Sequence, residues 1–323
     1  MTPGSLEELL GAVKEGPAIR SKGRAGAWAR PFVRRAGLRE GVLGPGDDAG
    51  AVETPAGYLL LAAEGMRSPL FEDPEFAGFC SVTVNVNDIY AMGGRPFGIV
   101  AVVFEGDAGE ETRAAFTRGM EAALDHYGLP MLGGHTSTDP GPFRVATCIA
   151  GRAERLLRGD GAGPGDDLLV AVDLDGRARE RFHAWDTVTR AEPSRTAAKL
   201  EALVRVSEIG GARACRDISN AGILGTLAMM MEASGTGAHV DLEGLPVPEG
   251  IDLGWWLGAY PSCGFLLAVP PGDPHRVAEL FASCGVACGK LGRVVAGSRL
   301  TVSLAGESAE FIDWRVTPVT GMY

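Results

Sequence analysis

The chain has 323 residues, 46% of them hydrophobic and 22% charged, with a formal net charge of −11. That length allows one large or two medium domains, each with a real core. The acidic balance argues against a nucleic-acid-binding surface and suits an enzyme that gathers divalent metal on carboxylates. No apolar run is long enough to cross a bilayer, and the opening MTPGSLEELL lacks a basic-then-apolar export signal. The expectation is a cytoplasmic protein with neither membrane nor nucleic acid as partner.

Six cysteines (80, 148, 215, 263, 284 and 288) are scattered among small and apolar neighbours. In a chain of this kind they read as reduced core or near-core residues. Cys284 and Cys288 lack the second pair, or the spaced histidine, that a zinc site requires.

In chain order, residues 5–13 predict a short helix capped by Ser5, with Glu8 completing a capping box. Residues 19–39 carry Arg20, Lys22, Arg24, Arg30, Arg34, Arg35 and Arg39. One reading is a solvated helix face preceded by a flexible loop. The other makes residues 21–26 a glycine-hinged lid that brings Lys22 or Arg24 onto phosphates.

Residues 43–50 form a glycine-rich turn holding Asp47 and Asp48. Adjacent carboxylates repel unless a cation bridges them, and oxygen ligands on a turn suit magnesium; such turns are also common on surfaces. Residues 58–63 predict a strand ending in Glu64. The alternation over residues 81–89 predicts a buried strand that delivers Asn87 and Asp88 to a turn closed by Gly93-Gly94. Residues 97–104 read as a further strand and residues 110–127 as an amphipathic helix stopped by Gly128-Leu129-Pro130.

Gly133-Gly134-His135-Thr136 then sets a glycine pair against polar side chains, so backbone N–H groups could approach an anion. His135 reads either as a hydrogen-bonded structural residue or as a catalyst. Residues 144–151 close the first half as a strand.

Around residues 153–165 Arg, Gly and Pro dominate, marking a domain join. Gly163-Pro164-Gly165-Asp166-Asp167 echoes the first aspartate turn but precedes an apolar strand, 168–172, and is read as structural. Residues 194–209 predict a helix started near Pro193. Cys215-Arg216-Asp217 ends a strand, and Ala221-Gly222 opens a helix through Met231, whose methionines read as packing. Strands are expected at 238–242, 264–269 and 300–304, with a helix over 274–284. Trp255 and Trp256 read as core or interface anchors. No P-loop, dinucleotide fingerprint or Gly-x-Ser-x-Gly elbow is present.

Taken together and in order, these motifs resemble one superfamily: aminoimidazole ribonucleotide (AIR) synthetase, selenophosphate synthetase and thiamine-monophosphate kinase. Gly46-Asp47-Asp48-Ala49 resembles its first metal motif. Glu72-Asp73-Pro74 with Gly78, and Asp88 through Pro96, are similar to selenophosphate synthetase, as is Gly133-Gly134-His135-Thr136. Asp217-Ile218-Ser219-Asn220-Ala221-Gly222 stands where the second domain supplies a metal ligand.

The resemblance implies a two-domain, PurM-like α/β (α+β) architecture whose N-terminal sheets pair into a dimeric β-barrel across a homodimer. The expected divisions are a basic lid region at 1–42, an ATP- and Mg-binding domain at 43–155 and a C-terminal α/β domain at 156–323. It further implies ATP beside Mg2+ held by Asp47, Asp48, Glu64, Asp88 and Asp217. Gly46, Asn87, Gly133, Gly134, Thr136 and Arg24 would contact the nucleotide, and Lys22 and His135 would serve the chemistry.

Departures bear on the substrate. No cysteine precedes Lys22, unlike in selenophosphate synthetases. The thiamine kinase's Ser-Asp-Gly is replaced by Ser219-Asn220-Ala221, and the aminoimidazole enzyme's Gly-Gly-Glu-Thr is absent. The expected activity is ATP- and Mg-dependent phosphoryl transfer to a small molecule. The alternatives are an amide- or amidine-activating cyclase and a catalytically silent nucleotide-binding regulator.

Overall fold

The computed structural model describes residues 5–36, 39–66, 68–272 and 274–323. Two helices lead, α1 (Leu6–Lys14) and α2 (Pro17–Ala36). The first unit follows as β1 (Val42–Leu43), β2 (Gly50–Thr54), β3 (Gly57–Gly65), α3 (Pro74–Ala91), β4 (Arg95–Phe104), α4 (Glu110–Tyr127), β5 (Met131–Ser137) and β6 (Arg144–Ala153). The second unit begins with β7 (Asp167–Val172), β8 (Arg177–Arg179), β9 (Ala184–Asp186), α5 (Pro193–Glu208), β10 (Ala214–Asp217) and α6 (Gly222–Ser234). It ends with β11 (Gly237–Asp241), α7 (Leu253–Gly258), β12 (Tyr260–Pro261), β13 (Gly264–Val269), α8 (Pro274–Ala282), β14 (Ala287–Val295), β15 (Arg299–Leu304) and β16 (Glu307–Asp313).

The first sheet runs β1-β2-β3-β6-β4-β5. Its neighbours are antiparallel except β4 and β5, which are parallel and joined through α4, as a crossover connection requires. The sheet is open, ending at β1 and β5, and no closed barrel forms among the described residues. Val52, Leu61, Phe97, Phe104, Met131 and Leu132 leave it with exposed apolar side chains. The second sheet runs β10-β13-β7-β14-β11-β15-β16, and a small sheet β12-β9-β8 stands beside it.

Residues 81–89, expected as a strand, belong to α3. Asp73 caps this helix, accepting from the Phe76 amide at 3.1 Å, and Pro74 occupies its first turn. The alternation misleads because α3 is buried on all sides, so its apolar residues form no single stripe. Its polar residues turn back onto the helix: Ser81 Oγ donates to Gly78 O at 2.7 Å, Thr83 Oγ1 to Phe79 O at 3.2 Å, and Asn85 Nδ2 to Ser81 O at 3.0 Å. Internal bonds of this kind let hydroxyls and an amide sit in a helix core.

The core does not break at the join. Val86, Ile89 and Met92 share one cluster with Leu203 and Val206 of α5 and Phe265 of β13. At the join itself, the Gly163 amide donates to Asp166 Oδ2 at 2.8 Å and Lys290 Nζ reaches Asp167 at 2.8 Å, as a structural turn would.

The glycine-hinged lid over residues 21–26 is not found, nor is a loop before it; α2 is helical throughout. Its glycines serve close approach. A Cβ on Gly26 would lie 1.8 Å from Thr320 O, so the helix packs directly on the backbone of the last residues. That segment is in turn docked on α6: the buried carboxylate of Glu232 accepts from Thr320 N at 2.7 Å and from Gly321 N at 2.9 Å. Ahead of it, Ser5 caps α1 by accepting from Glu8 N at 3.2 Å. Leu6, Leu9 and Leu10 are buried in the second unit's core with Trp256 and Phe311.

Candidate active site

Six carboxylates and one lysine line a single cleft of about 970 Å³ between the two units: the five expected acids, and Asp252, which is spent on capping α7 through the Trp255 amide. Asp47 and Asp48 come from the turn between β1 and β2, Glu64 from the end of β3, Asp88 from the last turn of α3, and Asp217 from the end of β10. Lys22 enters from α2, its Nζ 3.2 Å from Ser219 Oγ.

Short, saturated hydrogen bonding fixes the Asp47–Asp48 turn. Asp47 Oδ1 accepts from Asp48 N at 3.0 Å and its Oδ2 from Gly159 N at 2.8 Å. Asp48 Oδ1 accepts from Arg216 Nη1 at 3.2 Å and its Oδ2 from Asp217 N at 3.1 Å. Gly46 has φ of +128°, and its carbonyl accepts from Arg216 Nη2 and from the Tyr323 hydroxyl, the latter at 2.7 Å. A Cβ there would lie 2.1 Å from Tyr323 Oη, so glycine is required twice over.

The electrostatics are those of a site awaiting positive charge. Burial first, then repulsion from Asp217, Glu64 and Asp48, lifts the Asp88 carboxyl well above its ordinary range, with Lys22 opposing. Burial pushes Asp217 up to about 6, and Lys22 and Arg216 restrain it. Asp48 is raised well above the usual range by burial and then by Asp217, and Glu64 is raised by burial against the pull of Lys22. Mutually repelling carboxylate oxygens of this kind fit a hard divalent cation. Among the described residues, no three such side chains are already closed up as a metal site. Magnesium held here would take its remaining oxygens from phosphates and water, the coordination it favours.

The other expected site residues lie elsewhere. Gly133, Gly134, His135 and Thr136 form part of β5, exposed at the sheet edge and outside the cleft lining. Arg24 is exposed on α2 and also stands outside the lining. Asn87 is buried and spends Nδ2 on Ser262 O at 2.9 Å, tying α3 to the second unit. Sequence reasoning missed Arg216 and Tyr323, both of which line the cleft. A cation inside an apolar strand, next to an aspartate, was the available signal for Arg216, because a buried charge demands a partner. Nothing in the sequence marked Tyr323.

Comparison with known proteins identifies the family. Residues 46–153 match the family of AIR synthase related proteins, N-terminal domain, and residues 164–305 match the corresponding C-terminal domain. The chain belongs to the AIR synthase related proteins. Within that family it is 38% identical over 278 residues to an uncharacterized protein of Synechocystis sp., covering 85% of this chain and 86% of that one. It is also 26% identical over 297 residues to the selenide, water dikinase of Myxococcus xanthus, covering 78% and 83% of the two chains. The thiamine monophosphate kinase of Aquifex aeolicus shares the fold with a TM-score of 0.61 at 18% identity, over 86% of this chain and 96% of that one. No helix among the described residues is long and apolar enough to cross a membrane.

Proposed function

We propose that this AIR synthase related protein is an ATP- and Mg-dependent phosphotransferase acting on a small molecule, working as a homodimer. The observation that carries the reading is the meeting of Lys22, Glu64, Asp88 and Asp217, drawn from both units, around one cleft. The activities of two relatives, a selenide, water dikinase and a thiamine monophosphate kinase, support it. The open sheet with its exposed apolar face and unpaired edge strand β5 supports pairing with a second copy.

Phosphoryl transfer asks a protein for position and charge neutralisation more than for covalent chemistry. Glu64, Asp88 and Asp217 would hold magnesium, which when bound neutralises the triphosphate's oxygens. Lys22, on a rigid helix and steadied by Ser219, would meet phosphate charge from the opposite side. The apolar part of the lining, including Val13, Ile19 and Tyr260, would exclude water from the reacting groups.

The test is to incubate the protein with ATP and magnesium in a metabolite extract and to follow masses and ATP consumption. A metabolite that gains a phosphoryl group is the expected result. A product formed by loss of water would favour a cyclase that passes through a phosphorylated intermediate, and ATP binding without consumption a silent regulator.

A further inference from the structure

The five cleft acids expected from the sequence divide into two groups by what their oxygens touch. All four oxygens of Asp47 and Asp48 already accept hydrogen bonds from Asp48 N, Gly159 N, Arg216 Nη1 and Asp217 N. Among the described residues, no hydrogen bond reaches the side-chain oxygens of Glu64, Asp88 or Asp217, and all three line the cleft. Their cationic influence is chiefly Lys22, which acts on all of them.

Three of these four donors are backbone N–H groups, and the one charged donor is Arg216. Its side chain is 8% exposed, paired with Asp48 at 3.2 Å, and its second terminal nitrogen binds Gly46 O. Its Nε has no partner, and the guanidinium is held by this turn together with the Tyr323 hydroxyl. A guanidinium is always charged, weakly hydrated and suited to a fixed fork of acceptors. It offsets one of the turn's two negative charges before any ligand arrives. A divalent ion bound through Asp48 would have to displace it.

We infer that Arg216 is a resident cation that commits Asp47 and Asp48 to the protein, leaving Glu64, Asp88 and Asp217 to gather the divalent ion that accompanies the nucleotide. This rests on the reading of the cleft as an ATP and magnesium site and refines it. Arg216 is then a positioning residue: it holds Asp48, and the other oxygen of Asp48 fixes the backbone N–H of Asp217.

The test counts Mn2+ bound per chain, by electron paramagnetic resonance of the free ion, with a non-hydrolysable ATP analogue present. Asp88→Asn and Asp217→Asn should each lose a tightly bound ion. Asp48→Asn should keep the wild-type number and lose about 10–100-fold in affinity, as outer supporting groups do. Arg216→Met should bind an additional ion at the freed turn. Because that variant leaves a buried aspartate unpaired and puts folding at risk, the double variant Arg216→Met/Asp48→Asn is measured beside it and should hold the wild-type number. The assignment is overturned by an Asp48→Asn chain that loses an ion as Asp88→Asn does, or by a folded Arg216→Met chain with no ion gained. Wild-type protein that binds neither the analogue nor Mn2+ overturns the nucleotide reading as well.

Discussion

Lys22 Nζ and Ser219 Oγ lie 3.2 Å apart although 197 positions separate them in the chain. The contact sets a cation from the leading helix against the loop that follows Asp217, at the acidic end of the cleft. Replacing Lys22 with methionine should lower ATP turnover by about 100-fold, the usual loss for one preorganised charge. Arginine should restore part of it. Phosphate release, with circular dichroism as a check on folding, measures both.

Three neighbouring carboxylates, Asp217, Glu64 and Asp48, repel Asp88. Asparagine keeps its shape and removes that repulsion, so Asp88→Asn should abolish turnover while melting no earlier than wild type in the absence of divalent ions. ATP hydrolysis retained in this variant would remove Asp88 from the site.

Stability should depend on pH in an unusual direction. Glu64, Asp88 and Asp217 have folded pKa values raised above their unfolded ones. The folded chain therefore keeps protons that the unfolded chain would release. That contribution is complete below about pH 4 and drains away as pH climbs, through about 6 for Asp217, with Glu64 and Asp88 raised in the same direction. Metal-free protein should thus melt at a higher temperature near pH 5.5 than near pH 8, with a smaller difference in Asp88→Asn. Calorimetry across that range, with magnesium and a nucleotide analogue added in a parallel series, checks the sign; the ligands should flatten the dependence.

Helices α3 and α4 cross at glycines. A Cβ on Gly119 would fall 1.8 Å from Glu75 O, and one on Gly78 would fall 2.0 Å from Phe116 O. Gly119→Ala should destabilise the chain by about 1–3 kcal/mol, the range for overpacking a dense core. Urea unfolding would show this, with an unchanged m-value confirming that the fold is retained.

Much of this was legible in the residues. The α4 boundaries, the strand ending at Glu64 and the turn at Asp47-Asp48 all follow from local patterns. The character of α3 was not, because a helix surrounded by protein loses the single apolar stripe that identifies helices, and its Ser, Thr and Asn residues mimic a strand's alternation. Residues 19–39 read equally as a solvated helix face or a moving lid, and it is a helix that carries Lys22, with glycines as its contact points on the chain's last residues. Arg216 and Tyr323 were invisible as a pair, since only folding places both on the Gly46 carbonyl.

The burial of Leu6, Leu9 and Leu10 in the second unit's core bears on how such proteins can be recombined. A hybrid that takes its rear portion from a relative must take that relative's first 36 residues too. Otherwise a foreign helix faces an ill-matched seat, and Lys22 is carried to the wrong place.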